Sequence, residues 1–409
     1  MRRSEILSYG LLGLPLAFGA LPVYLFVPDF YSQSALLDLS VLGGILLATR
    51  LIDAVADPIF GWLIDQVSRP RFLCMALIPF ALGFVGLFNP SGAVDPVLWL
   101  VGSLLICTLG FSAAMIAFQT WGGDLGTHSA VRLDLTGSRE AFGLIGVLLA
   151  SILPSVLSDQ PIQGLRLATW LFLPLVVVCA WVSLRHTPPS ARVVTSSSGG
   201  FGKNLRQVLS DSIYRRVLYV FVANGIASAF PATLFVFFVA DVLGAQQLTG
   251  VLLGLYFLTA ALAVPGWIRL AGHIGRPKTW FCAMLLAVVA FVCASGLGTG
   301  DWLLFALICA ASGLAMGADL TIPGSIVADL GERRGRTASY FGLWNLVAKF
   351  NLAVAAGIAL PLIGYFGYVP GRSANTEVLV LAYVLLPVCL KLCAMGLVWR
   401  WRVPLAFKD

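Results

Sequence analysis

Apolar runs long enough to cross a bilayer recur along the whole of this chain, and that recurrence constrains its fold more than any single motif. A spanning helix needs about 20 apolar residues for a hydrocarbon layer of about 30 Å, because backbone amides left unbonded in lipid are costly. Such runs lie at 4–28, 38–64, 71–89, 96–124, 136–158, 163–184, 213–240, 246–270, 278–298, 301–328, 337–366 and 377–400, which predicts twelve transmembrane helices. Of the 409 residues 59% are hydrophobic and 11% charged, and the mean hydropathy is +0.92. Water cannot be the main solvent of such a chain, which excludes a soluble enzyme and a disordered segment. The fold class expected is an all-α membrane protein.

The eight cysteines sit in apolar runs without a CxxC pair, so they read as small buried side chains rather than a disulfide framework. A net charge of +7 could suggest a nucleic-acid partner, but the basic residues are spread among short loops, so no nucleic acid is expected. The start resembles a signal peptide in its basic residues and apolar run. That run continues to Pro28, however, which predicts an uncleaved first helix. Of the 26 Lys and Arg residues, 21 fall at the termini and in alternate loops, while the opposite loops hold only Arg166 and Arg372. This asymmetry predicts that both termini are cytoplasmic.

The longest polar stretch, Arg185 to Ser212, divides the chain into a bundle at 1–184, a linker at 185–212 that includes Thr195 to Gly200, and a bundle at 213–409. Four short matches repeat in order across it. Gly61-Trp62 recurs as Gly266-Trp267, Arg69-Pro70-Arg71 as Arg276-Pro277-Lys278, Asp124-Leu125-Gly126 as Asp329-Leu330-Gly331, and Phe142-Gly143-Leu144 as Phe341-Gly342-Leu343, at offsets of 205, 207, 205 and 199 residues. Two parallel, pseudo-symmetric six-helix bundles follow, an arrangement that in secondary transporters leaves a cavity near the midplane. The phosphate-gripping GxxxxGK[ST] pattern is missing, so an ion gradient or the solute's own gradient is the expected driving force.

The second helix carries the sharpest chemistry. Arg50, Asp53 and Asp57 fall near its centre at i,i+3 and i,i+4 spacing, which places them along one stripe. Left facing lipid, the three would cost about 8 to 10 kcal/mol, so they are expected to face protein or water. Two carboxylates one turn apart gain most from a shared cation or from one proton, and either event is a coupling step. Arg50 and Lys349 of the eleventh helix are the candidate counter-charges. The bland alternative is a static ion cluster that pins helices together.

Asp319 in the tenth helix reads either as a substrate or gating contact or as a partner of Lys349, and Lys391 as a residue that snorkels toward a membrane end. Asp65, Arg69, Arg71, Asp124, Arg132, Arg139, Glu140, Asp329, Arg333, Arg334 and Arg336 fall at the predicted cytoplasmic helix ends, where they can form gating salt bridges or simple solvated loops. His128, His186 and His273 lie in three separate loops and GxSxG does not occur, so no enzyme chemistry is expected.

The run Arg50-Leu51-Ile52-Asp53-Ala54-Val55-Ala56-Asp57-Pro58 resembles the helix-two signature of the glycoside-pentoside-hexuronide (melibiose carrier-like) cation symporters of the major facilitator superfamily. Ser8-Tyr9-Gly10, Arg139-Glu140-Ala141-Phe142-Gly143, Ala328-Asp329-Leu330, Tyr340-Phe341-Gly342-Leu343-Trp344 and Lys349 resemble further landmarks in the same order. The resemblance implies the major facilitator fold and a cation site at Asp53, Asp57 and Ser112 with Lys349 nearby. Asp53 and Asp57 are metal ligands only if sodium is the ion. Ala56 replaces an asparagine of the melibiose carriers, which removes a neutral oxygen ligand and favours a proton. Ala17 and Met115 stand where those carriers hold galactoside with carboxylates, so another cargo is implied. Gln119, Trp121, Trp344 and Asn345 are candidate solute contacts, since aromatic faces stack on sugar rings and amides fix polar groups.

The expectation is a monomeric, multi-pass bacterial inner-membrane protein without cofactor. It would couple a proton or sodium ion to symport of a small organic solute, such as a sugar or glycoside, by alternating access. A lysophospholipid or amphiphile flippase of the same fold, with membrane lipid as its partner, is the first alternative. A non-transporting sensor or assembly factor is the second.

Overall fold

The computed structural model describes residues 1–34, 39–158, 160–188, 200–368 and 376–406. The run at 195–199 of the expected linker and Arg372 lie outside the described residues. Every regular element among those described is a helix: α1 (Arg3–Gly10), α2 (Gly13–Leu25), α3 (Val27–Ser34), α4 (Leu39–Ile64), α5 (Arg69–Phe88), α6 (Pro96–Leu125), α7 (Ser129–Leu157) and α8 (Pro161–His186) precede α9 (Phe201–Ser210). Then follow α10 (Ser212–Phe237), α11 (Thr249–Ile274), α12 (Arg276–Ala294), α13 (Trp302–Arg333), α14 (Thr337–Tyr365), α15 (Thr376–Arg400) and α16 (Arg402–Leu405). Eleven spans are long and apolar enough to cross a membrane. Helix α4 is equally long, with 26 residues, and is set apart by Arg50, Asp53 and Asp57. The protein is therefore a multi-pass all-α membrane protein.

Local chemistry explains where these helices begin and break. Asp95 caps α6 by accepting from the Val97 and Leu98 amides at 3.0 and 3.1 Å, and Asp211 caps α10 by accepting from those of Ile213 and Tyr214. The first span, expected as one helix, is instead interrupted between α1 and α2 and again before α3. Pro15 has no amide to offer the Leu11 carbonyl, and the chain tightens there so that the Leu14 amide donates to Leu11 at 3.1 Å. The stretch expected as linker contains α9, which buries Asn204 and Val208.

The helices cluster into two compact units, residues 1–208 with 327–346 and residues 209–326 with 347–409. In the first, small residues let α5 and α6 touch. A Cβ on Gly83 would lie 2.6 Å from Cys107 Cα, and one on Gly110 would lie 2.9 Å from Phe80 Cα. Aromatic rings fill the space beside them, with Phe84 and Phe172 centred 4.5 Å apart. In the second, α10 continues into a π-turn at Phe238–Val242, which stacks Phe238 on Tyr383 at 4.3 Å.

Candidate functional site

Helix α4 brings two acids into the interior of the first unit. Asp53 and Asp57 are 3% and 0% exposed. The small residues around Ser112 on α6 let that helix approach, and the Ser112 hydroxyl donates to Asp53 Oδ1 at 2.6 Å. The other flank of α4 is closed by the first turns of α14. A Cβ on Gly342 would lie 2.5 Å from the Asp57 carbonyl oxygen, and one on Gly61 would lie 2.5 Å from that of Ala338. Glycines at these two positions are what allow the backbones to pass.

Arg50 is exposed, whereas the two acids are buried. Lys349 is half-buried on α14, in the part of that helix belonging to the second unit. Beside the acids, Ala20, Val23, Phe80, Cys107, Thr108 and Phe111 line an apolar cavity of about 10 Å³, room for one water at most and far too little for a sugar.

The residues expected to meet the solute are placed differently from one another. Asn345 Nδ2 donates to Gln119 Oε1 at 3.0 Å, which joins the start of α14 to α6 within the first unit. Trp121 is 1% exposed, edge-on to Tyr9 at 5.6 Å, with its indole N–H buried and without a hydrogen-bond acceptor. Trp344 is also buried. Asp319 lies elsewhere, in the second unit.

Six of the residues expected at the gating ends, Asp65, Arg69, Asp124, Arg132, Asp329 and Arg336, form ion pairs and hydrogen bonds within the first unit. Asp65 accepts from the Ala338 and Ser339 amides at 3.1 and 3.0 Å and from the Ser339 hydroxyl at 2.5 Å, so it caps α14 from another helix. Burial pushes the Asp65 carboxyl up from its ordinary value, against the pull of the Ser339 hydroxyl, the Arg69 guanidinium and the two amides. Arg69 pairs with Asp124 at 3.1 Å, and Asp124 accepts from the Thr337 hydroxyl at 2.9 Å. Asp329 pairs with Arg132 at 2.9 Å, and Arg132 also reaches Glu332 at 3.0 Å. Arg336 donates to Asn204 at 3.1 Å and to Gln207, which ties down α9. Arg139 and Glu140, expected in the same group, pair with each other at 2.6 Å.

Lys391 corrects an expectation. It is 1% exposed and does not snorkel. Its ammonium donates to Asn224 Oδ1 at 2.7 Å, to the Ser228 hydroxyl at 3.1 Å and to Asp319 Oδ2 at 3.1 Å. Asp319 therefore pairs with Lys391, and its other oxygen accepts from the Trp280 indole at 2.8 Å. Sequence reasoning missed this group, although Lys391 sits well inside the apolar run 377–400, too far from either end to reach water easily.

An all-helical chain with eleven candidate spans, α4 beside them, and buried carboxylates in α4 has the architecture of the major facilitator fold. A family model described as MFS/sugar transport protein matches residues 7–406, and the chain belongs to that family. Similar proteins are an uncharacterized symporter, YjmB, of Bacillus subtilis, 21% identical over 92% of this chain and 86% of that protein, and the sodium-dependent lysophosphatidylcholine symporter 1-B of Danio rerio, 23% identical over 89% and 79%. The isoprimeverose transporter of Lactiplantibacillus pentosus is 25% identical over 70% of this chain and 63% of that protein. Among solved structures, the major facilitator transporter FucP in the outward conformation superposes with a TM-score of 0.72 at 16% identity, covering 98% of this chain and 99% of that one.

Proposed function

We propose that this protein is a secondary active symporter that couples a proton or sodium ion, bound at Asp53 and Asp57, to movement of a small organic solute such as a sugar or glycoside by alternating access. The observation that carries the reading is the Ser112 hydroxyl 2.6 Å from a carboxylate buried in the middle of a spanning helix. A hydroxyl both donates and accepts, so it can serve Asp53 in either charge state and can turn its oxygen to a cation. Intramembrane acids are expensive and mark ion paths by default. The family's description and the isoprimeverose transporter support a sugar cargo. The Danio rerio relative supports a second reading, sodium-dependent transport of a lysophospholipid.

Gln119 and Asn345 are the amides proposed to meet the solute, and the network of Asp65, Asp329 and Arg336 is the proposed gate, set at the cytoplasmic side of a bacterial inner membrane. The test is uptake into vesicles by the variant Asp53→Asn with Asp57→Asn. Gradient-driven accumulation is expected to disappear while expression is kept, and undiminished uphill uptake would refute the coupling role. Imposing a sodium or a proton gradient alone decides the ion.

A further inference from the structure

One end of the second unit gathers positive charge without acids to meet it. Arg215 in the first turn of α10, Lys278 in that of α12 and Arg400 at the end of α15 are all exposed, and no carboxylate among the described residues pairs with them. In the first unit the basic residues at helix ends are used differently, since Arg69, Arg132 and Arg139 are buried and pair with Asp124, Asp329 and Glu140. Asp211, the acid beside Arg215, is buried and occupied in capping α10.

Aromatic contacts bring these cations to one place. The helix breaks at Trp401 (φ −106°, ψ 14°), and the short α16 packs on α10 and α12. Trp399 meets Phe281 of α12 with ring centroids 5.4 Å apart, and Lys278 lies one turn before Phe281 on the same face. Trp401 meets Tyr219 of α10 at 6.3 Å, and Arg215 lies one turn before Tyr219. Arg402, the first residue of α16, lays its guanidinium over the Trp399 ring at 4.3 Å and donates through Nη1 to the Trp399 carbonyl at 2.9 Å. That contact uses one of five N–H donors and fixes the plane of the rest. Trp399, Tyr219 and Val403 are 50%, 58% and 77% exposed, so an apolar face borders the cations.

Cations without acid partners, set beside exposed indole and phenol rings, match the headgroup layer of a membrane. Trp and Tyr settle at that interface, and an arginine fork holds phosphate oxygens in pairs. We propose that this end of the second unit binds the phosphate headgroup of an anionic phospholipid. Arg402 is the oriented fork, Arg400, Lys278 and Arg215 supply the surrounding charge, and Trp399 and Tyr219 lie against the glycerol and the upper acyl chain. The Lys and Arg asymmetry of the loops predicts the cytoplasmic side for this end, and the cytoplasmic leaflet is the one with a negative surface potential. The bound lipid is a resident partner rather than cargo, so the site holds whichever solute the protein carries.

The test is native mass spectrometry of the purified full-length protein titrated with phosphatidylglycerol, with phosphatidylcholine and inorganic phosphate as separate arms. Phosphatidylglycerol is expected to bind roughly tenfold to a hundredfold more tightly than phosphatidylcholine. Lys278→Gln with Arg400→Gln and Arg402→Gln should remove most of that preference, at up to about fivefold for each charge lost. Arg402→Lys keeps the charge and loses the fork, so it should weaken phosphatidylglycerol by about threefold; it reads the same site should the triple variant not fold. Lys203→Gln with Arg206→Gln removes two exposed cations from α9 and should leave the preference unchanged. Equal binding of the two lipids by the wild-type protein overturns the site, as does a preference that the triple variant retains or that the α9 variant loses to the same degree. Inorganic phosphate binding as tightly as phosphatidylglycerol overturns the lipid assignment and points to a free anion.

Discussion

Each unit carries an acid inside a spanning helix, Asp53 buried and Asp319 partly exposed, and the hydrogen bonds to them differ. Asp53 in the first unit accepts from a hydroxyl, whereas Asp319 in the second accepts from an ammonium and an indole. A hydroxyl can reverse its hydrogen bond when the acid takes up a proton; an ammonium cannot. The internal repeat does not carry either site across. At the offset of 205 residues Asp53 and Asp57 correspond to Leu258 and Leu262, and Asp319 to Ala114.

That contrast can be broken most directly at Asp53 and Asp57. Their joint conversion to Asn is expected to reduce concentrative uptake to equilibration, read as the final ratio of inside to outside label in vesicles. The corresponding stroke in the second unit should instead act on stability. Lys391→Met or Asp319→Asn alone should each cost about 3 to 5 kcal/mol, because either leaves a buried charge without its counterpart, and the double variant should recover much of the loss. Thermal unfolding in detergent measures this, and a double variant as unstable as the sum of the singles would deny that the two act as a pair.

Smaller effects sharpen the comparison. Gly342→Val pushes a side chain at the Asp57 carbonyl and should cost about 1 to 3 kcal/mol as α14 is forced off α4. Thermal unfolding checks this change as well. Ser112→Ala removes one hydrogen bond to a charged group and should cost about 1.5 to 3 kcal/mol of stability, read by thermal unfolding.

Much of the fold was legible because hydropathy is a local sum. The spans and the singular composition of α4 can each be read from about 25 consecutive residues. The break in the first span between Gly10 and Gly13, ahead of Pro15, was less visible, since prolines are common in membrane helices and only some interrupt the hydrogen-bond ladder. Asp53 with Ser112 came from the family resemblance, and the structure brings the two within 2.6 Å. Trp121 shows the opposite limit, because an aromatic residue in an apolar helix reads the same whether it faces a cavity or, as here, packs fully enclosed against Tyr9.

The sequence by itself determined that the chain lives in a membrane, crosses it repeatedly and places acids where lipid would reject them, because those facts depend on how many apolar residues run together. Which partner each buried charge receives was decided only by tertiary structure. Lys391 and Asp319 are 72 residues apart, and Asn345 and Gln119 are 226 apart. Such pairs exist through helix packing geometry, to which a linear pattern of hydropathy is blind.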